Sequence, residues 1–125
     1  MFTYTSTFSS FSVDDVQKAK EFYETVLGVR AVKTIMGLEL HVKGNESIFV
    51  YQKDDHVPAT FTVLNFTVED IDMAVDELRA LGVLFEQYQG QMQTDEKGIM
   101  RGGNDGPTMA WFRDPAGNFL SVIEG

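Results

Sequence analysis

At 125 residues and 43% hydrophobic content, the chain has the length of one globular domain able to bury a core of its own. Its formal charge of −9 argues against nucleic acid or anionic membrane as a partner, since both are held through Lys and Arg, and the absence of cysteine removes disulfides, thiolate metal ligands and cysteine nucleophiles. The start, Met1-Phe2-Thr3-Tyr4-Thr5, has no basic region followed by an apolar run, and no apolar stretch nears the roughly 18 residues that span a bilayer; a soluble, unprocessed, cytoplasmic protein is expected.

Along the chain, residues 5–13 alternate as a strand, with Thr7, Ser9, Phe11 and Val13 on one face and Ser6, Phe8, Ser10 and Ser12 on the other. Asp14 is expected to cap a helix in which Val16, Ala19, Tyr23, Val26 and Leu27 recur at helical spacing until Gly28 ends it. Strands are expected at 29–35, 38–42 and 46–52, separated by turn signals at Met36-Gly37 and Gly44-Asn45. The segment 53–58, with His56 beside Asp54 and Asp55, reads as a solvated linker.

The order then repeats. A strand over 60–68 leads to a helix over 70–81 with Ile71, Ala74, Val75, Leu78 and Leu81 inward, and then to a strand over 83–87. Between Gln87 and Thr108 lies a polar stretch carrying Gly90, Gly98, Gly102, Gly103 and Gly106, too long for an ordinary connection and read as a lid or a free surface loop. It is no phosphate loop, because Gly102-Gly103-Asn104-Asp105-Gly106 runs into Pro107 and a strand where such a loop should open a helix. Strands over 109–113 and 119–123 close the chain around Asp114-Pro115-Ala116-Gly117-Asn118.

The repetition extends to residues: Val13 and Val68, Asp15 and Asp70, Val16 and Ile71, and Ala19 and Ala74 all stand fifty-five positions apart. The expected fold class is therefore α+β, two βαβββ modules in tandem whose curved mixed sheets surround a shared cavity. Module one covers about 1–53 and module two about 59–125 of a single domain.

This duplicated order, the Phe22-Tyr23 and Leu27-Gly28 pairs of the first helix, and the ending Ala110-Trp111-Phe112-Arg113-Asp114-Pro115-Ala116-Gly117-Asn118-Phe119-Leu120 resemble the vicinal oxygen chelate superfamily. That superfamily contains glyoxalase I, extradiol dioxygenases, fosfomycin-inactivating enzymes and bleomycin-sequestering proteins. The resemblance implies a small-molecule ligand and a homodimer. It also implies where a metal would sit in the metal-dependent members: a His or Gln in each module's first strand and a carboxylate on each last strand. By register, those slots are Phe8, Val63, Ser121 and one position within 48–51. Phe and Val lack a donor atom, and a neutral serine is a poor substitute for a carboxylate, so no metal and no other cofactor is expected. Glyoxalase I and dioxygenase chemistry, which needs the metal, is not expected either.

Strand alternation places Phe8, Ser10, Phe61, Val63, Asn65, Met109, Trp111, Ser121 and Ile123 on the cavity face, a mixture of aromatic walls and sparse polar groups suited to a small molecule. Arg101, in the glycine-rich stretch, is a further candidate contact for a polar or anionic ligand. The leading expectation is a metal-independent binding protein that sequesters a partly aromatic ligand. A lyase or isomerase is the alternative, with Glu39 and His41, two apart on one strand, as acid and base. An interaction scaffold without ligand is the third.

Overall fold

The computed structural model of the chain describes residues 1–44 and 47–125, so the turn signal at Asn45 and the strand start at Glu46 lie outside the described residues. The chain divides into two compact units, Met1–Pro58 and Ala59–Gly125. Each is a four-stranded mixed sheet with one α-helix among the described residues, and the strand order is the same in both.

In the first unit, β1 (Ser9–Val13) leads into α1 (Val16–Glu21), followed by β2 (Arg30–Lys33), β3 (Leu38–His41) and β4 (Ile48–Gln52), in the order β1-β4-β3-β2 with β1 parallel to β4. The cap of α1 is Asp15, not Asp14. Asp15 is extended and its carboxylate accepts from the amides of Gln17 and Lys18, whereas Asp14 is exposed. The helix widens over Phe22–Val26 into a π-type turn, with the Leu27 amide donating to the Phe22 carbonyl, before Gly28 takes φ +65°. Val13, Leu38, Leu40 and Val50 from the sheet and Ala19 and Tyr23 from the helix are buried. The expected linker is less solvated than its composition suggests: His56 is half-buried, with Nδ1 2.7 Å from the Ser12 hydroxyl.

In the second unit, β5 (Thr62–Val68) leads to α2 (Ile71–Ala80), then β6 (Ile99–Met100), β7 (Met109–Arg113) and β8 (Phe119–Glu124), in the order β5-β8-β7-β6 with β5 parallel to β8. Asp70, the counterpart of Asp15 at the fifty-five-residue offset, caps α2 through the Met73 amide, and the Glu124 carboxylate accepts from the Ile71 amide. Ile71 and Val75 of α2 are buried, as are Ala110, Phe112, Leu120 and Val122 of the sheet, and α2 packs against β8. Leu81, expected inward, is exposed because the helix has already ended.

The expected strand over 83–87 does not form. Only Phe85 bridges to β7, opposite Phe112, and the rest of that edge is filled by Ile99–Met100 out of the glycine-rich stretch. Ile99 and Met100 are thus part of the sheet and not of a free loop. Gly98 makes this possible: at φ +86°, a Cβ there would stand 2.7 Å from that of Phe85.

Candidate functional site

One face of the second sheet is covered by α2. The opposite face carries Met109, Trp111, Arg113, Phe119, Ser121 and Ile123, which the register aligns as Trp111 with Ser121, Met109 with Ile123, and Arg113 with Phe119. At one end of this face lies a cleft of about 600 Å³. Its walls are Thr60, Phe61 and Thr62 at the start of β5, Trp111 of β7, Phe119 of β8, and Tyr88, Gln89, Gln91 and Met92 from the loop after Phe85.

The loop is held at its neck. The Tyr88 amide donates to the Thr94 hydroxyl at 2.9 Å and the Thr94 amide returns a bond to the Tyr88 carbonyl at 3.0 Å, while a short turn over Gly90–Met92 closes its tip. Just before it, the Glu86 amide donates to the Trp111 carbonyl at 2.8 Å. These bonds set the Tyr88 ring edge-on to Trp111, with centroids 5.6 Å apart. Burial pushes the Tyr88 phenol above its ordinary pKa, and the nearby Glu86 charge adds to the shift. A second, polar hollow of about 410 Å³ shares Tyr88 and Gln89 with the cleft.

Of the sequence candidates, Trp111 and Phe61 line the cleft. Ser121 is fully buried and its hydroxyl donates to Asn65 Oδ1; Met109, Asn65 and Ser121 share the face but do not line the cleft. Simple alternation fails at Val63, which is the extra residue of a β-bulge: Thr62 pairs with Phe119 and Leu64 with Leu120, so Thr62 takes the place in the cleft wall that alternation gave to Val63. Phe8 and Ser10, in the first unit, are exposed. Glu39 and His41 lie on the open face of the first sheet with 3.5 Å between Oε1 and Nε2, and neither lines the cleft.

Arg101 does not reach the cleft lining. It pairs with both oxygens of Asp72 on α2, at 2.8 and 3.1 Å, and with Asp95 at 3.2 Å, while Lys97 bridges Asp72 and Asp76. Bonds from Arg101 first, and then Lys97, hold Asp72 well below the usual carboxylate range. For Asp95, burial acts upward but is outweighed by the amides of Ile99 and Lys97 and by Arg101, and the net shift is downward. Carboxylates lowered on folding stabilise above their unfolded pKa, near 4, and lose that contribution as pH falls through the folded value. The anchor of 95–101 to α2 is therefore intact at neutral pH and released in acid. Asp72→Ala is expected to leave the unfolding midpoint nearly unchanged, because these groups are half-exposed, yet to speed tryptic cleavage after Lys97 and Arg101 several-fold.

Sequence reasoning missed Thr60, Thr62, Tyr88, Gln89, Gln91, Met92 and Phe119. Phe119 was readable as the same-face neighbour of Ser121, whereas the loop residues follow no strand or helix period and are placed by the Tyr88–Thr94 neck. A family model for the Glyoxalase/Bleomycin resistance protein/Dioxygenase superfamily matches residues 7–122.

The chain belongs to this superfamily.

Solved structures of similar fold include an integron cassette protein from the mobile metagenome of Vibrio cholerae, at 24% identity and a TM-score of 0.66 over 99% of this chain and 97% of that one. TnmS3, an antibiotic binding protein from Streptomyces sp. CB03234, is 22% identical with a TM-score of 0.66 over 98% of each chain. Lactoylglutathione lyase from Agrobacterium tumefaciens is 21% identical with a TM-score of 0.66, over 97% of this chain and 93% of that one. No curated protein sequence matched. Membership of the superfamily raises the question of its metal; of the slots that the resemblance implies, Phe8 and Val63 have no ligand atom on their side chains, and Ser121 is a neutral hydroxyl that donates to Asn65. Among the described residues, no three His, Asp or Glu side chains form a group that could hold a metal ion, and no helix is long and apolar enough to cross a membrane.

Proposed function

We propose that this superfamily member binds a small, partly aromatic molecule in the cleft of its second unit, without a metal, and that binding itself is the function, as in sequestration. The cleft carries the reading: Trp111, Tyr88, Phe61, Phe119 and Met92 provide broad apolar area, while Thr60, Thr62, Gln89 and Gln91 provide a few neutral hydrogen-bonding groups for orientation. The description of TnmS3 as an antibiotic binding protein agrees with this use of the fold. Pairing of two copies belongs to the same reading and comes from the family resemblance, and a cytoplasmic location accords with the cysteine-free composition. Glu39 and His41, as an exposed pair outside the cleft, are the less supported alternative of acid–base catalysis.

Trp111 is the single tryptophan of the chain, so its fluorescence reports on the cleft. Titration with naphthalene-2-methanol is expected to quench or shift that emission saturably and to raise the unfolding temperature as RT ln(1 + [L]/Kd) requires. No change in either signal across a panel of such aromatic probes would remove the reading.

A further inference from the structure

The nature of the ligand's charge follows from what stands at the border of the cleft, taking the binding reading above as given. None of the nine lining residues carries a charge at neutral pH: they are threonines, glutamines, a methionine and aromatic residues, and the one titratable group among them, the Tyr88 phenol, stays protonated. One cation does reach this wall. Arg113 lies next to Trp111's position on the open face and stacks over the Phe119 ring, its guanidinium carbon 4.5 Å from the centroid. Left alone, it would draw an anionic ligand to the aromatic wall. Its Nε and Nη2, however, both donate to Glu86 Oε1, at 3.1 and 3.0 Å, and Glu86 is held in place by its own amide bond to the Trp111 carbonyl.

We infer that the Glu86–Arg113 pair makes the cleft selective for uncharged, planar aromatic molecules, with Glu86 as the residue that cancels the cation stacked on its wall. An ionised group entering the cleft would give up hydration and meet neither a free counter-charge nor enough dipoles to replace it. A neutral hydroxyl or carbonyl would meet Gln89, Gln91, Thr60 and Thr62. The net charge of −9 works in the same direction against anions at longer range. Specificity then rests on rejecting charged ligands as much as on attracting neutral ones.

Three probes of one shape separate the possibilities: naphthalene-2-methanol, 2-naphthoate and the 2-naphthylmethylammonium ion, titrated at neutral pH against Trp111 fluorescence. The native protein is expected to bind the alcohol at least tenfold more tightly than either ion. Glu86→Gln keeps the backbone bond and frees Arg113, and should raise the naphthoate-to-alcohol affinity ratio at least tenfold. Arg113→Met leaves Glu86 unpaired and should move the preference toward the ammonium ion. Equal binding of alcohol and naphthoate by the native protein, or an unchanged ratio in both variants, overturns the inference while leaving a binding cleft intact. Failure of all three probes to bind overturns the binding reading itself and the inference with it.

Discussion

Trp111→Ala is expected to abolish binding of naphthalene-2-methanol, followed by thermal shift, and to lower the unfolding free energy by about 3–5 kcal/mol. Both effects come from one geometry. Trp111 is 6% exposed, paired across β8 with the buried Ser121 and touched edge-on by Tyr88, so its removal leaves a cavity in the sheet face and takes away the central wall of the cleft. Trp111→Phe separates the two: it should keep most of the packing and recover much of the stability, while binding stays weakened at least tenfold because the larger ring surface is gone. Equal binding by Trp111→Phe and the native protein would show that the ligand does not rest on this side chain.

The second large effect is structural. Asp114→Ala is expected to destabilise by about 2–4 kcal/mol in denaturant unfolding, since a buried carboxylate that satisfies several amides leaves them unpaired when it is removed. Asp114 is 4% exposed; Oδ1 accepts from the amides of Ala116 and Asn118, and Oδ2 from the Asn118 side chain, whose own Oδ1 accepts from the Ala59 amide. The carboxylate thereby fixes the turn that aligns β7 with β8, and through Asn118 the chain just ahead of Thr60. Misalignment there would displace Phe119 and Thr62, two walls of the cleft. Asp114→Asn should cost less than the alanine variant, because one amide oxygen can still accept. An alanine variant as stable as the native protein would contradict this account of the turn.

The parts of the fold that were legible in the sequence are those with a period or a repeat. The fifty-five-residue offset pairs Asp15 with Asp70, and both prove to be helix caps; reading the first cap as Asp14 ignored that offset. Alternation placed Met109, Trp111, Ser121 and Ile123 together on one face of β7 and β8, because a regular antiparallel pair keeps its period of two. It failed at Val63, where a bulge inserts one residue and exchanges the faces, and no composition signal marks that bulge. It also failed over 83–87, where the edge of β7 is shared between Phe85 and Ile99–Met100, so neither segment alone looks like a strand of ordinary length. Most of the cleft's second wall was illegible for a related reason: Tyr88, Gln89, Gln91 and Met92 are placed by the Thr94 bonds at the neck of their loop, and such bonds between irregular segments have no sequence period. Arg101 was visible as a cation in a loop, but only the folded chain shows it committed to Asp72 and Asp95.

The most direct test of the central claim, that the cleft of the second unit holds a small aromatic molecule, is a two-dimensional NMR titration of the labelled protein with naphthalene-2-methanol. The account predicts saturable shifts of the Trp111 indole and of the Gln89 and Gln91 side-chain amides, with intermolecular contacts from the naphthalene ring to Met92 and Phe61. Perturbation centred instead on Glu39, His41 and the stacked Phe49–Tyr51 pair of the first sheet, or no saturable perturbation at all, would contradict it.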